Sequence, residues 1–196
     1  MTHAPETVDL VHASALPLAG LTAFQALTQS LEISAGQTIV VNGAAGGVGS
    51  FAVQIARALG AEVIGTGSEH SFERIRDLGA TPVPYGDGFV DAVRAAAPDG
   101  VHAVFDLYGD VLESAKQVLN AQGRIASIAP PDQVLAAGAS YVFVKPNRSQ
   151  LAELVSMVDS GKLRIDVQQT FPLSDAAAAV ELAEQSRTHG KLVLIP

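Results

Sequence analysis

Gly43, Gly46 and Gly49 stand at three-residue spacing, G-x-x-G-x-x-G, within the stretch VVNGAAGGVGSFAVQIARALGAEVIG. From Gly43 to Gly49 no side chain is larger than that of Val48. Giving up side chains lets the main chain adopt positive φ and come close to a ligand. An apolar run precedes these glycines and a helical pattern follows them. Free N–H groups and the positive end of a helix dipole would then face an anion. The chemistry that fits is the binding of a dinucleotide's pyrophosphate. A tight turn with close helix-on-strand packing is the plainer alternative.

The next apolar run ends VIGTGSEH. Dinucleotide sites that take NAD usually place Asp or Glu at this point, on the ribose 2′-hydroxyl. Here Thr66 or Gly67 occupies the acid position. Ser68 and His70 are suited to a 2′-phosphate, with Arg74 within reach from the following helix, so the expected cofactor is NADP (NADPH). Glu69 complicates this as a displaced acid. Ser68 also reads as a helix N-cap.

Proton donors are few. Tyr108, Ser127 and Tyr141 are the candidates, and none has a base at motif spacing. Tyr108 and Ser127 are kept as weak catalytic candidates. Asp106 closes an apolar run and serves either to orient a cofactor loop or to cap the next helix. The five His, at 3, 12, 70, 102 and 189, show no metal-ligand spacing, and with no Cys a thiolate zinc site and disulfides are excluded. The expected metal is none. Ser-His-Asp and paired-carboxylate arrangements are absent; Asp87 with Asp91 reads as an exposed helix face.

The elements that must position these residues alternate. Strand-like runs are Thr38–Asn42, Glu62–Thr66, Thr81–Tyr85, Ala103–Leu107, Arg124–Ala129 and Tyr141–Val144. Helix-like stretches are Gly47–Leu59, Glu69–Leu78, Gly88–Ala97 and Asp110–Leu119, with Gly60 and Gly79 as C-terminal caps. Ala13–Ser30 reads as a helix entering the sheet. Ser149 would start a helix over Gln150–Asp159, closed by Gly161. Such alternation predicts an α/β fold: a Rossmann doubly wound, six-stranded parallel sheet. Residues 167–196 read as a strand-helix-strand appendage (VQQTFPLS, DAAAAVELAEQSRT, GKLVLIP) with no place in that sheet.

With 196 residues, 48% of them hydrophobic, the chain can bury a sizeable core. A net charge of −8 and no basic patch argue against nucleic acid and anionic membranes as partners. No apolar run reaches membrane-span length and residues 1–6 do not read as a signal peptide, so the expected location is cytoplasmic.

ASALPLAGLTAFQAL, the glycine stretch through GAEVIGT, LGA and the ending GKLVLIP together resemble the medium-chain dehydrogenase/reductase superfamily. The most similar branch is its zinc-free one, the quinone oxidoreductases and enoyl reductases. The resemblance implies an NADPH-dependent oxidoreductase that reduces a quinone or an activated carbon–carbon double bond of a small molecule. It places Thr22 near the nicotinamide and Ala45, Gly46, Gly47 and Val48 at the pyrophosphate, with Gly43 and Gly49 framing the turn. Ser68 and His70 match a 2′-phosphate loop, and Tyr85 a tyrosine on the adenosine side. Leu107 and Tyr108 match the loop after the fourth strand, where Tyr108 is bulkier than the family pattern. Ser127 to Ala129 fall beside the nicotinamide ribose, Phe143 and Val144 near the carboxamide, and Lys191 near the cofactor.

The family carries a GroES-like domain ahead of this region, so residues 1–166 are expected to be a dinucleotide-binding domain with a joint helix. Residues 167–196 are then the tail that returns to that other domain. The same resemblance predicts a homodimer through the edge strand around Tyr141–Val144, or a separate chain covering the tail. A shortened member acting as a non-redox enzyme, binding module or partner subunit is the alternative.

Overall fold

The computed structural model describes residues 2–185 and 188–196. Ser186 and Arg187, at the end of the helical reading DAAAAVELAEQSRT, lie outside the described residues.

The main sheet has six parallel strands in the order β3-β2-β1-β4-β5-β6. They are β1 (Thr38–Asn42), β2 (Glu62–Gly67), β3 (Thr81–Pro84), β4 (Val101–Asp106), β5 (Leu119–Ser127) and β6 (Ser140–Tyr141). β1 is buried from Ile39 to Asn42 because helices cover both faces, which is why its sequence is a continuous apolar run rather than an alternation. The strand order reverses between β1 and β4, and ligands of doubly wound sheets lie at that reversal, outside the carboxyl ends of the strands.

Nine α-helices are described: α1 (Leu10–Ser14), α2 (Leu16–Gln25), α3 (Gly49–Ala58), α4 (Phe72–Asp77), α5 (Phe89–Ala96), α6 (Leu112–Ala115), α7 (Pro131–Ala136), α8 (Arg148–Asp159) and α9 (Ala176–Glu184). One core, holding Phe51, Ile55, Ile75 and Leu154, packs α2, α3 and α8 on one face; a second, around Phe89, Val104 and Val134, lies on the other. Gly60 (φ 86°) and Gly79 (φ 92°) end their helices in the left-handed conformation, as expected.

The structure departs from the sequence reading in several places. The helix expected over Asp110–Leu119 is only Leu112–Ala115, because Val118 already accepts the Val101 N–H and Leu119 opens β5. The edge strand expected over Tyr141–Val144 is Ser140–Tyr141. Beyond it the Val142 N–H still bonds Ser127, but the Lys145 N–H turns away to Gln25 on α2. The entering helix is broken into α1, α2 and a π-turn at Ala26–Ser30. The helix placed after Ser149 begins at Arg148, capped by the Asn147 side chain on the Gln150 N–H. Helix α7, which the sequence reading omitted, follows Pro130.

The tail forms β7 (Val167–Pro172), α9 and β8 (Lys191–Ile195); among the described residues β7 and β8 pair only with each other, in parallel. It is nonetheless anchored. Val193 is buried in the main core, with Val167 and Ile195 packed against it. Leu173, Val180 and Leu194 stay exposed.

Candidate functional site: the glycine turn and its clefts

β1 ends at Asn42 and α3 starts at Gly49, and between them the chain must turn within contact of itself. Gly43 has φ 85°, a conformation that L side chains rarely adopt. A Cβ on Gly49 would lie 2.1 Å from the Gly43 carbonyl oxygen, so that glycine closes the turn. Gly46 is different. A Cβ there would meet only the Gly43 carbonyl oxygen at 3.4 Å and the Tyr108 hydroxyl at 3.7 Å, so its missing side chain leaves space for something else. The N–H groups of Gly47 and Val48, at the start of α3, find no acceptor among the described residues. Open donors at a helix N-terminus, with backbone bared by Gly46, fit a pyrophosphate.

A buried polar network holds the turn. Asp106, fully buried at the end of β4, accepts from Asn42 Nδ2 (2.8 Å), the Gly109 N–H (2.8 Å), the Tyr108 N–H (3.3 Å) and Ser127 Oγ (2.7 Å). A carboxylate so deep is tolerated because donors surround it. Asn42 also donates to Asp110 (2.7 Å) and accepts from the Thr66 hydroxyl, whose oxygen in turn takes the Gly43 N–H (2.9 Å). The Ser127 oxygen accepts the Ala129 N–H (3.1 Å). One carboxylate therefore ties together the ends of β1, β4 and β5.

Two clefts open on either side of Tyr108. The first, about 300 Å³, is lined by the turn, by Thr66 to Ser68 at the end of β2, and by Tyr85, Tyr108, Asp110 and His189. The second, about 380 Å³, runs over Gly46 to Val48 towards Leu107, Ile128 and Lys191. The Tyr108 ring lies against Gly43, whose added Cβ would sit 2.5 Å from Cε2. Burial and then the Asp110 carboxylate push the Tyr108 phenol above its ordinary value. Lys191 reaches over the turn from β8: an added Cβ on Gly47 would lie 3.5 Å from its Nζ, and the neighbouring Gly190 N–H bonds the Ala45 carbonyl. Burial holds the Lys191 ammonium below its usual range. A half-buried cation without a carboxylate partner among the described residues is suited to an anionic ligand.

Against known proteins, a family model described as zinc-binding dehydrogenase matches residues 78–194. The chain is 32% identical to a quinone oxidoreductase of Pseudomonas aeruginosa, over 100% of this chain and 68% of that protein. It is also 32% identical to a chloroplastic NADPH-dependent alkenal/one oxidoreductase of Arabidopsis thaliana, over 98% of this chain and 49% of the relative. The solved quinone oxidoreductase of Coxiella burnetii superposes with a TM-score of 0.86 at 33% identity, covering 96% of this chain and 62% of that one. The chain belongs to the medium-chain dehydrogenase/reductase superfamily, in its zinc-free quinone oxidoreductase branch. It spans 68% of the length of the Pseudomonas relative, 49% of the Arabidopsis one and 10% of a similar polyketide synthase system protein of Streptomyces orinoci. The matched region is the dinucleotide-binding Rossmann domain of that superfamily.

In this domain the residues expected from the sequence divide into groups. Gly43, Ala45, Gly46, Ser68, Tyr85 and Tyr108 line the first cleft; Gly47, Val48, Leu107 and Lys191 line the second. The Ser68 hydroxyl makes no helix cap and is free to face the first cleft. His70 is exposed beside Ser68 but outside the lining. Arg74, proposed to reach the same loop, is turned away and pairs with Asp166 at 2.7 Å. Thr22 is buried, its hydroxyl on the Leu18 carbonyl. Ser127 and Ala129 are buried in the network, and Phe143 is exposed beyond β6. Asn42 and Asp110 were missed by sequence reasoning. An Asn closing the apolar run TIVVN was the available signal for the first; for Asp110 there was none.

No described helix is long and apolar enough to cross a membrane. Among the described residues no three His, Asp or Glu side chains converge as metal ligands.

Proposed function

We propose that the chain binds NADPH across the two clefts and serves a reductase of quinones or of alkenes conjugated to a carbonyl. The observation that carries this is the open glycine turn beneath the Lys191 ammonium, with the N–H groups of Gly47 and Val48 unspent at the start of α3. The named activities of the relatives supply the reaction class. When bound, the nicotinamide supplies a hydride to one carbon of the conjugated system, and a proton goes to the far atom.

The chain's own residues bind and orient. Gly46, Gly47, Val48 and Lys191 hold the pyrophosphate. Ser68, with His70 at the rim, takes the 2′-phosphate, which selects NADPH over NADH because no carboxylate stands at the end of β2. Leu107 and Ala129 flank the nicotinamide half, while Thr22, Phe143 and Val144 lie on the side where the carboxamide would be held. Ser127 positions the loop and donates no proton to substrate, since its hydroxyl is committed to Asp106. A raised pKa makes Tyr108 a poor acid, so neither weak candidate is assigned the proton transfer. Tyr141 and Phe143, with ring centroids 6.4 Å apart and Phe143 exposed, support a homodimer along the β6 edge. The cytoplasm, where NADPH is abundant, is the proposed location.

Calorimetric titration with NADPH and NADH tests the reading. Micromolar or tighter binding with NADPH preferred is the expected result. Absence of binding to both would overturn it.

A further inference from the structure

The first cleft lies on the β1–β2–β3 side of the turn, so a dinucleotide with its pyrophosphate on α3 directs its adenosine half there. Two of the chain's three tyrosines, Tyr85 and Tyr108, line this cleft, each 57% exposed. Exposed aromatic rings along a polar-floored cleft are stacking surfaces for a planar heterocycle.

The same cleft also presents a group suited to a hydrogen-bond donor. Among the described residues Asp110 is the one carboxylate lining the cleft, and no described Lys or Arg joins it there. A carboxylate accepts hydrogen bonds and donates none, so its counterpart must be a donor. It is also fixed in place. Asn42 Nδ2 donates to Asp110 Oδ1 at 2.7 Å, and Asn42 is itself held by Asp106 (2.8 Å) and by the Thr66 hydroxyl. Asp110 Oδ2 has no protein partner among the described residues. A buried amide thus orients an exposed carboxylate and leaves one oxygen for the cleft.

We infer that Asp110 reads the base: its carboxylate accepts a hydrogen bond from the exocyclic amine of an adenine stacked along Tyr85 and Tyr108. This inference rests on the dinucleotide reading of the site and adds a specificity to it. A 6-oxo purine would set a carbonyl oxygen against the carboxylate, acceptor against acceptor, and be rejected. In Asp110→Asn the Asn42 N–H still requires an oxygen at the Oδ1 position. The new NH2 therefore faces the cleft, and the preference should pass to the 6-oxo base.

The test titrates the full chain and Asp110→Asn with NADPH and with its hypoxanthine analogue, deamino-NADPH. Asp110 is an exposed loop residue, and a thermal melt checks that the variant folds. The expected result is at least about a tenfold preference for NADPH in the parent, lost or inverted in Asp110→Asn. Equal affinity of the parent for both ligands overturns the inference and leaves the dinucleotide reading standing. So does a preference that Asp110→Asn leaves unchanged. Failure of the parent to bind either ligand overturns the dinucleotide reading and this inference together.

Discussion

Gly46→Val separates a turn built for packing from a turn built for a ligand. In the structure a Cβ at position 46 meets nothing closer than 3.4 Å, and Gly46 is not among the positive-φ glycines. Folding should therefore tolerate the substitution: the unfolded chain loses conformational freedom worth about 0.4–1 kcal/mol, which offsets any local crowding. Binding should not tolerate it, because the added isopropyl group stands where the phosphates approach the Gly47 and Val48 N–H groups. Losing two charge-assisted hydrogen bonds at about 1.5 kcal/mol each costs about 3 kcal/mol, roughly a hundredfold in Kd. Calorimetric titration with NADPH reads the affinity, and a thermal melt reads the fold. An affinity within threefold of the parent, with Tm unchanged, would refute the reasoning, since the turn would then have no contact with the ligand. Gly49→Ala is the counter-example: with 2.1 Å to the Gly43 carbonyl, it should lower Tm as well as affinity.

Asp106→Ala strands the Asn42 amide, the Gly109 N–H and the Ser127 hydroxyl in a buried site. About 3 kcal/mol or more of stability should go, lowering Tm by roughly 6–12 °C in a chain of this size; a change under 2 °C would sink the network argument. Ser68→Asp should move the NADPH-to-NADH affinity ratio towards NADH by roughly tenfold or more, and an unmoved ratio would remove Ser68 from the site. Lys191 has a folded-state pKa lowered by burial from 10.5. The unfolded chain thus binds that proton more readily, and the stability withheld by the charged group returns as pH rises through the window ending at 10.5. A bound pyrophosphate needs the charge, so NADPH affinity should fall across the same window; a titration series in the parent showing a pH slope that Lys191→Met abolishes is the expected outcome. Arg74→Ala should lower Tm by roughly 4–8 °C, from about 2 kcal/mol lost with the half-buried Asp166 pair, and should leave the NADPH-to-NADH ratio alone. A shifted ratio would put Arg74 back at the 2′-phosphate.

The glycine turn was legible because its requirements are local: a strand, three glycines at fixed spacing and a helix, all within the reach of a short window. The inner strands β1, β2 and β4 were legible for the same reason, since burial on both faces leaves apolar-rich runs. The rest depends on partners distant in sequence. Asn42 and Asp106 are 64 residues apart, and only the β1–β4 register places their side chains together. The helix expected after Asp110 stops at Ala115 because β4 recruits Val118 and Leu119, a pairing that no helical periodicity encodes. Arg74 looked available because its helix follows Ser68, but its direction was decided by Asp166, 92 residues later.

Anion binding by a chain of net charge −8 demands a local field that opposes the global one. The clefts supply it from two ends of the sequence. Open N–H groups at the start of α3 give direction, and Lys191, carried in by β8, gives a full charge. At physiological ionic strength screening acts over about 8 Å, so remote carboxylates matter little beside groups within contact of the turn. The last strand is therefore more than a trailing appendage. Its Gly190 N–H bonds the Ala45 carbonyl, Val193 enters the main core, and together these fix the ammonium above Gly47. A ligand that gathers the turn and Lys191 around one pyrophosphate stabilises the docked tail by mass action, and the tail's docking in turn raises affinity for that ligand by the same factor.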